Sequence, residues 1–124
     1  MPKAQLTRLE LQIMQVLWNN GPSTVQAVQQ RLPGDPLAYT TVQTMLNILQ
    51  KKGKLKRRLR GRAYVYSATV TEEKTLGHAV RDLVDRMFGG SNEELVMSLI
   101  KSKQLDAKKI AELSKRLEKE GGSV

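Results

Sequence analysis

Thr40, Thr44, Asn47 and Lys51 recur at helical spacing, with Thr41 and Gln43 beside them, in the stretch LAYTTVQTMLNILQKKG from Leu37 to Gly53. Hydroxyls and carboxamides both give and accept hydrogen bonds, so a helix presenting them can satisfy base edges and phosphate oxygens. Solvent-facing helices more often carry Glu and Lys. On the other side of the stretch, Val42, Met45, Leu46 and Leu49 follow the i, i+3, i+4, i+7 pattern of a buried stripe. This helix must therefore pack on one face and stay available on the other. An ordinary amphipathic helix with a polar outer face has the same spacing, and the surrounding charge separates the two readings.

Immediately downstream, KKGKLKRRLRGR carries Lys51, Lys52, Lys54, Lys56, Arg57, Arg58, Arg60 and Arg62 without one acid. Residues 1 to 70 hold eleven Lys or Arg against Glu10 and Asp35, which is the whole of the net charge of +9; beyond them ten bases and ten acids cancel. Charge gathered on one segment and balanced on the rest is the footprint of a polyanion-binding domain joined to a neutral one. A solvated charge run usually mixes signs or lies in a disordered tail, whereas this one lies between segments with clear periodicity.

Composition removes other chemistries. The chain has 124 residues, 40% of them hydrophobic, enough to bury the core of one domain, or of one domain with an appendage. The absence of cysteine excludes disulfides and Cys-based metal or redox sites, and a single histidine, His78, removes most His-based ones, so no metal or cofactor is expected. No nucleophile, base and orienting partner stand at a suggestive spacing, and the chain is not expected to be an enzyme. No apolar run reaches the roughly 20 residues of a membrane span, and MPKAQLTRLE lacks the apolar centre of a signal peptide, which points to a cytoplasmic protein.

The elements that must position the polar helix follow in order. Thr7 and Glu10 form a T-x-x-E capping box with Leu6 and Leu11 placed as a hydrophobic staple; Leu9, Ile13, Val16 and Leu17 give a core stripe, widened by Met14 and Trp18, that ends at Asn19-Asn20-Gly21-Pro22. Ser23 or Thr24 caps a short second helix with Val25, Val28 and Leu32, closed by Pro33-Gly34-Asp35-Pro36. Ala38, at the cap position of the polar helix, has no side chain to offer its first amides, which a backbone phosphate or water could serve instead. After Gly53 the period changes to two: Leu55, Arg57 and Leu59 alternate with Lys56, Arg58 and Arg60, Gly61 permits a turn, and Ala63 to Ser67 is β-rich. Three helices followed by a basic β-hairpin is the order of a winged helix-turn-helix, in which the third helix enters the major groove and the wing lies along the backbone.

Residues 71 to 120 predict a separate helical region, giving a mainly α, α+β chain with domains 1-70 and 71-120 and a disordered tail at 121-124. Thr71 with Glu72 and Glu73 suits a helix start; Leu76, Val80, Leu83, Val84 and Met87, with Phe88, make a wide apolar face that ends at Gly89-Gly90. Ser91 and Glu94 are spaced as a second capping box, ahead of stripes at Leu95, Val96, Leu99 and Ile100 and at Ile110, Leu113 and Leu117. Three short helices cannot bury these faces alone, so pairing with a second copy is expected, with packing against the winged domain as the alternative. His78 lies near the apolar face and is read as packed or solvated.

The segments LTRLELQIMQVLW, LAYTTVQTMLNILQKKG and GRAYVYSATV, with the three-stripe layout beyond, resemble the penicillinase-repressor family, whose members include BlaI, MecI and CopY. The resemblance covers nearly the whole chain. It implies a bacterial repressor that dimerises through its C-terminal helices, at Leu76, Val80, Leu83, Val84, Met87, Leu95, Leu99 and Leu113. It also implies a pseudo-palindromic operator in double-stranded DNA, with half-sites similar to TACA and TGTA. Thr40, Thr41, Gln43 and Thr44, flanked by Asn47 and Lys51, fall in the family's recognition helix, and Arg60 and Arg62, beside Arg57 and Arg58, in its wing. The copper-responsive members' cysteine pairs are absent. The Asn-Phe bond cut in the antibiotic-resistance members, which work with a membrane sensor protease, is replaced by Ser98-Leu99, so the inducing signal is not inscribed in a motif. A nucleic-acid-binding winged helix of another kind, such as an RNA-binding part of an assembly, would use the same basic wing without a palindrome.

Overall fold

A computed structural model describes residues 6–121. Three helices and a small antiparallel sheet make up the winged helix-turn-helix that the sequence predicts, and three further helices follow, in the order α1 (Arg8–Asn20), β1 (Ser23–Thr24), α2 (Val25–Arg31), α3 (Tyr39–Lys51), β2 (Leu55–Arg60), β3 (Ala63–Ala68), α4 (Glu72–Met87), α5 (Asn92–Lys101) and α6 (Ala107–Lys119). The chain divides into two compact units that meet between Ala79 and Val80, inside α4.

In the first unit, α1 starts where its capping box dictates. The Thr7 hydroxyl accepts from the Glu10 amide at 3.1 Å and the Glu10 carboxylate accepts from the Thr7 amide at 2.8 Å, satisfying two otherwise unpaired donors. Leu6 and Leu11 are both half-buried, and Leu6 packs against the core. Ile13, Met14, Val16 and Leu17 of α1 meet Val25 and Val28 of α2, Val42, Leu46 and Leu49 of α3, and Leu55 and Tyr66 of the sheet in one buried cluster. Trp18 closes the edge, its indole N–H donating to the Val70 carbonyl at 2.9 Å.

The sheet runs in the order β1-β3-β2, where the sequence predicts only the β2-β3 hairpin. Ser23 and Thr24 pair with Tyr66 and Val65, and Thr24 at the same time caps α2 by accepting from the Ala27 amide at 3.1 Å. Both tasks need the same extended backbone, which Thr24 adopts at φ −79 and ψ 168. A strand of two residues has no period to read, so only its cap function is visible in the sequence.

α3 ends as Gly53 requires. With φ at +78, Gly53 lets its own amide bond back to Gln50 and the Lys54 amide to Leu49, closing the last turn in a Schellman arrangement. β2 and β3 then pair from Leu55↔Ala68 to Arg60↔Ala63 across a two-residue turn, Gly61 at φ +66 and Arg62.

The second unit holds the end of α4, with α5 and α6. Val84 is its one buried hydrophobic residue among those described, and neither α5 nor α6 buries any. α5 starts at Ser91, whose hydroxyl accepts from the Glu94 amide at 3.2 Å, but the reciprocal half of the expected box does not form. The Ser91 amide already donates to the Phe88 carbonyl at 2.9 Å, which leaves no free donor for the Glu94 carboxylate. No helix among the described residues is long and apolar enough to cross a membrane.

Candidate nucleic-acid interface

α3 is held by its apolar side: Val42, Leu46 and Leu49 are fully buried and Met45 is half-buried. The same rotation leaves Thr40, Thr41, Gln43, Thr44 and Lys51 exposed, with Asn47 half-buried. Ala38 is the cap residue and makes no side-chain hydrogen bond, so the first turn of α3 presents backbone amides with no side chain across them. Tyr39 and Ile48 also stand out from α3. Periodicity alone did not mark them, since neither falls on the apolar stripe or among the hydroxyls and amides of the polar face.

In the wing, alternation along β2 puts Leu55, Arg57 and Leu59 on one face and Lys56, Arg58 and Arg60 on the other. Arg58, Arg60 and Arg62 are exposed, and Arg62 sits in the turn itself. Arg57 is exposed too but engaged. Its guanidinium carbon lies 4.1 Å from the Tyr64 ring centroid, and its Nη1 is 3.5 Å from Asn47 Oδ1, which also accepts from the Tyr66 hydroxyl at 3.2 Å. Tyr64 and Tyr66 read in the sequence only as β-formers; their roles depend on Arg57, seven positions from Tyr64 on the facing strand, and on Asn47, nineteen positions from Tyr66.

One of the eight basic residues from Lys51 to Arg62 is not available to a ligand. Lys52 Nζ reaches both oxygens of Glu10, at 3.0 and 2.9 Å, and Glu10 is 2% exposed. Burial alone would raise the Glu10 carboxyl, but the hydrogen bond from the Thr7 amide and the Lys52 ammonium outweigh it and hold the group below its ordinary value. The remaining charges of the run face no neighbouring carboxylate within ion-pair distance among the described residues. What results is a hydroxyl and amide face on α3 next to a cationic ribbon, which can bind a polyanion through the ribbon and hydrogen-bond to its edges through the helix.

The apolar residues of the helical region are placed differently from one another. Leu76, Val80, Leu83 and Met87 form one exposed stripe on α4, with Met87 67% exposed, whereas Val84 is buried. Leu95 and Leu99 on α5 are half-buried, and Leu113, with Leu117, is exposed on α6. Ser98 and Leu99 lie in the second half of α5, and His78 is exposed on α4. No group of three His, Asp or Glu side chains that could hold a metal ion comes together among the described residues.

The pattern that defines the penicillinase repressor family matches residues 6–119. The chain is 28% identical over 115 residues to the penicillinase repressor of Bacillus licheniformis, covering 92% of this chain and 90% of that protein. It is 23% identical over 112 residues to the penicillinase repressor of Staphylococcus aureus, covering 90% of this chain and 89% of the other. Among solved structures it is similar to the DNA-binding domain of the repressor BlaI, at TM-score 0.50 and 33% identity over 55% of this chain and 84% of that one. The transcriptional regulator Tm0710 from Thermotoga maritima shares the fold, at TM-score 0.54 and 22% identity over 94% of this chain and 74% of that one.

Proposed function

Because this chain belongs to the penicillinase repressor family, we propose that it is a transcriptional repressor that binds a pseudo-palindromic operator in duplex DNA as a homodimer. The observation that carries the reading is the pairing of an exposed hydroxyl and amide face on α3 with an acid-free basic wing on one compact unit. α3 enters the major groove, where Gln43 and Thr44 read base edges and Thr40, Thr41 and Lys51 fix its register; Arg58, Arg60 and Arg62 meet phosphates. The BlaI domain that resembles the first unit is itself described as DNA-binding, which supports the same use here.

The exposed stripe of α4 and the exposed apolar residues of α5 and α6 support the homodimer. Leu76, Val80, Leu83, Met87, Val96, Met97, Leu113 and Leu117 would stay in water in a lone chain. Covering them with a second copy joins two α3 helices in one particle, which a two-fold operator matches. If a membrane sensor protease inactivates the protein at Ser98-Leu99, the bond must first leave the helix, because it lies within α5. In a lone chain no residue of α5 is buried, so such local opening is inexpensive there and costs more once a second copy covers the helix.

Selection of bound sequences from random duplex DNA tests the reading. A consensus of two inverted half-sites is expected. A preference for RNA, or a site without inverted symmetry, would replace the repressor with a winged-helix module of another assembly.

A further inference from the structure

Asn47 is the one polar residue on the outer face of α3 whose acceptor is already occupied. Its Oδ1 receives the Tyr66 hydroxyl at 3.2 Å and lies 3.5 Å from Arg57 Nη1. A guanidinium only donates, so the oxygen of the carboxamide has to face the wing. Tyr66 is 1% exposed and part of the core, which places its hydroxyl at a fixed height on β3. Arg57 stands opposite Tyr66 in the ladder and rests on the ring of Tyr64, one pleat further out. Among the described residues, these are the only side-chain hydrogen bonds from α3 to β2 or β3.

The outer half of the ribbon needs such a tether. Leu55 and Tyr66 anchor β2 and β3 in the core, but every residue from Arg58 to Tyr64 is exposed, so no packing sets the angle of the tip. An isolated two-stranded ribbon is marginal in water and twists freely. We infer that Asn47 and Arg57 are positioning residues that hold the wing at a set angle to α3, and that neither contacts DNA directly. Two points of chemistry support this over a reading role. Bidentate recognition of adenine by Asn uses the oxygen and the NH2 together, and the oxygen here is taken by two donors. The Arg57 cation lies over Tyr64 and points to α3 rather than outward to a phosphate. This inference rests on the DNA-binding reading of the same surface, and its test has one arm that needs no DNA.

In the full chain, Asn47→Ala is expected to speed amide hydrogen exchange at wing residues Arg58 to Tyr64 by about tenfold, while the α3 amides at Leu46 and Leu49 keep wild-type protection. On DNA, affinity for the best-bound duplex from a random library and for a mixed-sequence duplex should fall by the same factor, about tenfold or more, and the salt slope by about 3, roughly one for each of the wing arginines Arg58, Arg60 and Arg62. Adding Arg62→Ala should then cost little more, since the wing is already displaced. Tyr66→Phe keeps the ring in the core and should reproduce the pattern. Unchanged exchange in the wing overturns the inference. So does a loss confined to the selected duplex, with relaxed preference at one base pair and full multiplication with Arg62→Ala, which makes Asn47 a base reader. Should the wild type bind no duplex at all, the DNA reading fails while the exchange arm still decides the tether.

Discussion

Charge on a side chain is not the same as charge available to a ligand, and Lys52 shows the difference. It belongs to the basic run, yet its ammonium joins α1 to the end of α3 through Glu10. Lys52→Met should therefore destabilise the fold while leaving the salt slope of DNA binding unchanged. With the Lys52 side chain 30% exposed, the expected cost is about 2 kcal/mol, below the range for a fully buried pair. Urea unfolding and a salt titration on the same variant measure both. Arg60→Ala or Arg62→Ala should do the reverse, keeping stability and lowering the slope by about 1 on operator and random DNA alike. Gln43→Ala belongs to a third class: a loss of about 1 to 3 kcal/mol on the best duplex, with relaxed preference at one base pair per half-site. Equal loss on every sequence would make Gln43 a backbone contact. Glu10 also gives the fold a pH dependence. Its folded value lies below the ordinary 4.5, so its stabilisation is present above 4.5 and is lost as pH falls through the lower folded value. Thermal melts should show Glu10→Gln less stable than wild type at neutral pH, with a shallower decline on the acid side.

At the scale of elements, the start of α3 is a place where stability and binding pull apart. Ala38 leaves the first turn without a side-chain partner. Ala38→Asp supplies a cap and a favourable charge for the helix dipole, and should raise stability by about 1 kcal/mol. The same carboxylate would repel a phosphate at that turn, so DNA affinity should fall as stability rises. A rise in both would show that no phosphate approaches α3 end-on. The wing behaves as an element only as far as Leu55 and Tyr66 reach into the core; beyond them its attitude depends on the Asn47 tether.

For the whole molecule, the two units differ in how they are held. The first is organised around eleven buried hydrophobic residues, while the second leaves most of its apolar side chains in solvent. Leu83, 39% exposed at the middle of the α4 stripe, tests whether a second copy covers them. A charge there would be an unpaired ion in a buried interface, which is costly, but it lies outside the cluster of Ile13, Val42 and Leu46. Leu83→Glu is thus expected to sediment as a monomer with near-native helical circular dichroism and strongly reduced operator affinity, since the two half-sites are no longer bound together. Leu99→Glu on α5 should act in the same direction. If both variants remain dimeric and bind normally, the stripe serves another purpose.

The sequence by itself determined what depends on near neighbours along the chain. The Thr7 and Glu10 box, the Gly53 stop, the apolar face of α3 and the change to a period of two after it are all fixed within one or two turns of helix or strand, where local geometry decides the outcome. The polar face of α3 and the basic wing were legible for the same reason. What only the tertiary structure decided involves partners distant in the chain. Glu10 meets Lys52 across 42 positions, Tyr66 meets Asn47 across 19, and Ser23 finds Tyr66 to make a third strand. Composition counts each of these side chains as a charge, an amide or a hydroxyl. Only packing determines which of them are already bonded inside the protein and which remain free to bond outside it.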